Sequence, residues 1–104
     1  MITRIWRGRT SAANADAYGD FLRRTAYPDY GGVAGNRGWL LLRRQIDDTV
    51  EFAFVSFWDS IEALHTYAGD DAAQPHHYPE DLAALLPPLE RADNYEILDV
   101  KLAL

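Results

Sequence analysis

Glu51-Phe52-Ala53-Phe54-Val55-Ser56-Phe57-Trp58, followed at once by Asp59-Ser60-Ile61-Glu62-Ala63-Leu64, is the stretch that decides the fold. The first eight residues are rich in aromatic and β-branched side chains and have the length of a strand. Phe52, Phe54 and Trp58 fall on one face and Ala53, Val55 and Phe57 on the other, so both faces are apolar. Asp59 is the expected N-cap of a helix, with Glu62 three residues on as an acidic variant of the capping box. The inward stripe of that helix is Ile61, Leu64 and Ala68. At ~100° per residue, His65 and Tyr67 fall on opposite shoulders of it. Gly69-Asp70-Asp71 closes the helix.

Upstream, Trp39 to Arg44 reads as a second strand, joined to the first by a turn at Asp47-Asp48-Thr49. Trp39/Leu41 and Leu40/Leu42 again leave both faces apolar. Before it, Asp29 to Gly38 holds four of the seven glycines and reads as a loop. Gly32-x-x-Gly35-x-x-Gly38 does not make a phosphate loop, because a strand and not a helix N-terminus follows. Ala15, Tyr18, Leu22 and Ala26 repeat at helical spacing, with Thr10 and Ser11 as N-cap candidates and Pro28 as the expected stop. Ile2 to Arg9 alternates as a strand. Downstream, Leu82 to Leu89 is a short helical pattern broken by Pro87-Pro88, and Asn94 to Leu102 alternates as a last strand.

The order is therefore β-α-β-β-α-β with a small extra helix, the ferredoxin-like pattern of the α+β class. Right-handed crossovers lay both helices on one face of a four-stranded antiparallel sheet. Strands apolar on both faces then leave one apolar face uncovered. A second copy of the same sheet is the expected cover, which makes a homodimer through the sheet face the expected assembly.

The chain's 104 residues suit one domain spanning 1–104. The net charge of −6 argues against nucleic acid as a partner, since phosphate binding draws on a basic face. Its distribution is uneven: residues 1–46 carry a net +5 and residues 47–104 a net −11. Interdigitated halves bring these opposite charges together. No apolar run is long enough to span a membrane, and Met1-Ile2-Thr3-Arg4 is not the start of a signal peptide. With no cysteine, thiol chemistry is excluded and a reducing, cytoplasmic location is expected.

Phe57-Trp58-Asp59-Ser60-Ile61-Glu62-Ala63-Leu64, ending a strand and opening a helix, resembles the signature of the antibiotic-biosynthesis-monooxygenase-like proteins. Further matches are Ile2 to Thr10, Pro28-Asp29-Tyr30 with Gly35-Asn36-Arg37-Gly38, Tyr78-Pro79-Glu80-Asp81 and Asn94-Tyr95-Glu96. Together they extend over nearly the whole chain. The resemblance implies a dimeric α/β barrel. In its oxygenase branch it implies that a small hydrophobic aromatic, phenol-, quinol- or anthrone-like, binds between sheet and helices. Once deprotonated, that compound reacts with O₂ without metal, flavin or other cofactor. The protein supplies a dry cavity, a base and polar groups for the anion.

Trp58 is the pocket wall that the resemblance carries over. Tyr67, Tyr78 and Trp39 are further aromatic candidates for the same cavity. His76 or His77 is the expected base, since an imidazole titrates near neutral pH, and His65 is another candidate. Arg37 or Arg7 is placed to hold an enolate. The polar residues form no catalytic set defined by spacing, so a non-catalytic binding or structural dimer of the same fold is the alternative. Haem degradation is a third reading. Tyr67 and His77 match the spacing of an aromatic and a histidine in the haem-degrading branch, but that aromatic is typically Trp, and the first strand lacks the expected asparagine. A zinc site from His65, His76 and His77 is not expected, for want of ligand spacing.

Overall fold

A computed structural model describes residues 1–68, 84–86 and 92–103. Strand β1 (Ile2–Ser11) leads through a 3₁₀ turn (Ala12–Asn14) into helix α1 (Ala15–Tyr30), and β2 (Asn36–Ile46) and β3 (Thr49–Trp58) follow. Helix α2 (Ile61–Ala68) and strand β4 (Asp93–Glu96) complete the described elements. The strands form one antiparallel sheet in the order β2-β3-β1-β4, the ferredoxin-like α+β arrangement expected.

Alternation along β1 and β3 sets the inner face. Arg4, Trp6, Gly8 and Thr10 are buried on β1, as are Val50, Phe52, Phe54, Ser56 and Trp58 on β3. In register, Trp6 lies opposite Phe54 and Arg4 opposite Ser56. Helix α1 lays Ala15, Tyr18, Leu22, Ala26 and Tyr30 on that face, the expected stripe and one turn more. At Gly8 the helix-side layer comes so close that a Cβ would lie 2.6 Å from Leu85 Cδ2.

Several boundaries differ from the sequence reading. Pro28 does not stop α1, which runs to Tyr30. A proline in the last turn forfeits one hydrogen bond, and burying Tyr30 among Phe54, Trp58 and Tyr67 offsets that loss. Thr10 lies within β1 and donates its hydroxyl to the Ala84 carbonyl at 2.7 Å, while Ser11 precedes the 3₁₀ turn without a side-chain capping bond. Asp59 is not the cap of α2. Ser60 Oγ accepts from Ala63 N–H at 3.1 Å, while Asp59 turns to Arg37 at 3.5 Å. Ile61, expected to face inward, is exposed, while Leu64 and Ala68 pack inward as expected and Ala63 and Tyr67 join them.

Strands β2 and β3 extend up to the hairpin turn at Asp47-Asp48, where Asp47 takes a positive φ of 54°. The last strand is shorter than its pattern. Its ladder with β1 runs from Ile5↔Asp93 to Ile2↔Glu96, and Ile97 N–H donates to the Met1 carbonyl at 2.9 Å. The expected Leu82–Leu89 helix lies outside the described residues apart from Ala84–Leu86.

The halves do interdigitate. Arg7–Asp93 at 2.8 Å, Arg37–Asp59 at 3.5 Å and Arg44–Glu51 at 3.0 Å join the basic first part of the chain to the acidic second. Such solvent-facing pairs orient more than they stabilise.

The outer face of the sheet carries Ile5 on β1, Ala53, Val55 and Phe57 on β3, and Leu40 and Leu42 on β2. Leu40, Val55 and Ile5 form one cross-strand row. Leu40 and Leu42 keep 40% and 47% of their surface in water, and no described element packs over them.

Candidate functional site

The end of the inner face where β3 runs into α2 is aromatic. Trp58, the last residue of β3, is fully buried, and its indole N–H donates to Ser56 Oγ at 2.9 Å. Tyr67 of α2 lies with its ring centre 5.2 Å from Trp58 and 5.1 Å from Tyr30. Tyr30 in turn meets Phe54 at 5.0 Å and Trp39 at 5.9 Å. Four elements thus converge. The short Asp59-Ser60 link, held by Asp59 N–H donating to the Gly35 carbonyl at 2.8 Å, sets the angle at which α2 brings Tyr67 over Trp58.

Two uncommon polar features lie at this end. Arg4 is 2% exposed, with its guanidinium carbon 6.0 Å from the centre of the Tyr67 ring, at the outer range of a cation–π contact. A full positive charge inside an aromatic layer strengthens any interaction with negative charge there, because little water screens it. Asn36 Nδ2 and Asn94 Oδ1 are buried polar atoms without a hydrogen-bond partner. Asn36 spends its Oδ1 on the Gly38 N–H at 3.0 Å. Asn94 is the only half-buried residue of β4, whose other three are exposed.

Of the residues singled out in the sequence, Trp58, Tyr67 and Trp39 come together here, Trp39 through Tyr30. His65 is half-buried on α2, one residue beyond Leu64. Arg37 is largely exposed at the start of β2 beside Asp59, and Arg7 lies on the outer face against Asp93. His76, His77 and Tyr78 lie outside the described residues. Sequence reading missed Arg4, Tyr30 and Asn94. Arg4 shares the parity of Trp6 along β1, which would have placed it inside had the inner face been known. Tyr30 continues the Ala15–Ala26 stripe by one step, hidden by Pro28.

No family model matches the chain, and no curated protein does. Solved structures do. A Nitrosomonas europaea protein of unknown function matches with a TM-score of 0.69 at 19% identity, over 99% of this chain and 94% of that one. A candidate antibiotic biosynthesis monooxygenase from Bacillus cereus gives 0.70 at 12% identity, over 100% and 97%. A haem-degrading protein of Mycobacterium tuberculosis gives 0.65 at 18%, over 96% and 98%. At these identities the likeness is one of fold: the chain has the architecture common to antibiotic-biosynthesis-monooxygenase-like proteins and haem degraders.

Proposed function

We propose that the chain is a cofactor-independent monooxygenase acting on a small hydrophobic aromatic compound, phenol-, quinol- or anthrone-like, bound between sheet and helices. The observation that carries this reading is the aromatic layer of Trp58, Tyr67, Tyr30 and Trp39 with the Arg4 charge buried in it. Flat rings favour a flat apolar ligand, and a buried cation favours its ionised form. The fold shared with a candidate antibiotic biosynthesis monooxygenase agrees.

In this reading His76 or His77 is the base, with Tyr78 as a further contact. It takes a proton from the activated ring carbon or its enol, and the resulting anion gives electrons to O₂. A hydroperoxide forms at that carbon and loses water to leave a carbonyl. One oxygen atom ends in the product and the other in water, so a CH₂ group becomes C=O with no external reductant.

The proposed assembly is a homodimer through the outer sheet face. Beyond Ile97, outside the sheet, Leu98, Val100 and Leu102 keep 90%, 51% and 67% exposure on alternate positions. They add to the apolar surface which a second copy would cover.

Oxygen consumption with anthrone in chelator-treated buffer tests the activity. Uptake with formation of the 9,10-quinone is expected, and its loss in a His76→Ala/His77→Ala double variant. Full rate in that variant overturns the assignment of the base. Binding of anthrone without uptake overturns the enzyme and leaves a binding protein. A Soret band on haem titration, with haem turnover, would favour the activity named for the Mycobacterium tuberculosis neighbour instead.

A further inference from the structure

Strand β2 is an edge of the sheet: β3 pairs with one side of it, and no described strand pairs with the other. Such an edge presents free N–H and C=O groups, and proteins commonly blunt it with a bulge, a proline or charge. The bulge of β2 lies at Asn36/Gly38, which leaves Trp39-Leu40-Leu41-Leu42 without a guard ahead of Arg43-Arg44. Two cavities flank this stretch. One of about 480 Å³ on the helix side is lined by Asp16, Asp20, Leu41, Arg43 and Phe52. The other, of about 360 Å³ on the outer face, is lined by Arg7, Leu42, Arg44 and Ala53. A strand added to an edge sends alternate side chains to the two faces of the sheet, and this edge has room for both sets.

Residues 98–103 supply such sets. Leu98, Val100 and Leu102 alternate with Asp99 and Lys101; all are exposed, and none makes a hydrogen bond or ion pair among the described residues. They cannot reach β2 of their own chain. Ile97 leaves the sheet at the level of Met1, on the far edge, whereas Leu42 lies at the level of Ala53 and Arg7. That separation is about 25 Å, and the three residues from Ile97 to Val100 span at most about 11 Å. A second copy can supply them.

We propose that the free edge of β2 accepts residues 98–103 of a second copy as an added antiparallel strand, with Asp99 opposite Arg43, Val100 opposite Leu42 and Leu102 opposite Leu40. The inference rests on the reading that two copies meet through the outer sheet face. Charge and apolarity select the register together. Arg43 reaches to the helix side, where it bonds Asp16 at 2.9 Å yet stays largely exposed, and an acid opposite it stabilises the ladder. Val100 and Leu102 then extend the outer rows Leu42–Ala53 and Leu40–Val55–Ile5. A slip of one residue turns the charges onto the leucines. Parallel pairing that keeps Asp99 at Arg43 carries Val100 and Leu102 on to Arg44 and Ile46, past those leucine rows.

The test uses the full chain, which has no cysteine of its own. Directly opposed residues of an antiparallel pair stand about 4.5–5.5 Å apart at Cα, the separation a disulfide bridges. Leu40→Cys/Leu102→Cys is expected to give a covalent dimer on oxidation, whereas Ile46→Cys/Leu102→Cys and each single cysteine variant are not. Sedimentation adds a charge-reversal cycle. Asp99→Arg and Arg43→Asp should each weaken association about ten-fold, since the pair occurs twice per dimer, and their combination should recover wild-type affinity within about three-fold. If wild type is dimeric but cross-links at 46/102 or at neither pair, or if the combined reversal recovers nothing, the inference is overturned while the homodimer stands. A wild type that sediments as single molecules overturns both.

Discussion

Val55→Asp tests the uncovered sheet face most directly. Val55 lies at the middle of the central strand β3, between Leu40 and Ile5 in the cross-strand register. If that face met only water, the change would cost about 1 kcal/mol in strand propensity and side-chain packing and lower the melting temperature by about 4–8 °C. A two-fold interface instead buries two carboxylates, one from each copy. At an effective penalty of about 3 kcal/mol per buried charge, association weakens by about 6 kcal/mol, a factor of about 10⁴ in the dissociation constant. The wild-type driving force is adequate to be disrupted. Leu40, Leu42, Leu98, Val100 and Leu102 leave the surface of about three whole aliphatic side chains in water. Covering them is worth about 6 kcal/mol per copy before the costs of association. Sedimentation velocity across a micromolar dilution series is the assay, with Ile61→Asp on the exposed side of α2 as the control that leaves association unchanged. A wild type that sediments as single molecules throughout refutes the reasoning. A Val55→Asp variant that stays dimeric with an unshifted dissociation constant does so equally.

Three further outcomes follow from local geometry, each read by chemical denaturation. Ser60→Ala removes the oxygen that accepts from Ala63 N–H and should cost about 1 kcal/mol, whereas Asp59→Ala should cost less because Asp59 only meets exposed Arg37. Thr10→Val leaves the Ala84 carbonyl without its 2.7 Å donor inside the fold, at about 1–3 kcal/mol; an unchanged midpoint would place water at that carbonyl. Gly35→Ala forces a side chain onto a residue with φ of 85° and sets a Cβ 2.5 Å from Ala63 Cβ. About 2–4 kcal/mol is expected, together with a changed near-ultraviolet signal from the Trp58–Tyr67 layer as α2 shifts; stability equal to wild type would contradict this geometry.

Much of the fold is legible residue by residue because its signals are local. Alternation along Ile2–Arg9 and Glu51–Trp58, the spacing of Ala15, Tyr18, Leu22 and Ala26, and the turn at Asp47-Asp48 depend on neighbours a few positions away. The places of Trp58 at a strand end and Tyr67 on a helix are legible for the same reason, whereas a pocket role for either rests on the family resemblance. Errors fell where a distant contact outweighed a local preference. Pro28 lies within a helix because Tyr30 is buried against β3 and α2, and Ser60 caps α2 because Asp59 is drawn to Arg37.

By itself the sequence determined the β-α-β-β-α-β order and the presence of more apolar strand surface than two helices can cover, since both follow from periodicity and amount. Tertiary structure alone decided which face is inner, and so that Arg4 lies inside while Arg7 and Arg37 lie outside. It also brought Asn94 beside Arg4 from ninety positions along the chain. A strand's pattern reports that its two sides differ, but only packing against another element tells which side loses its water.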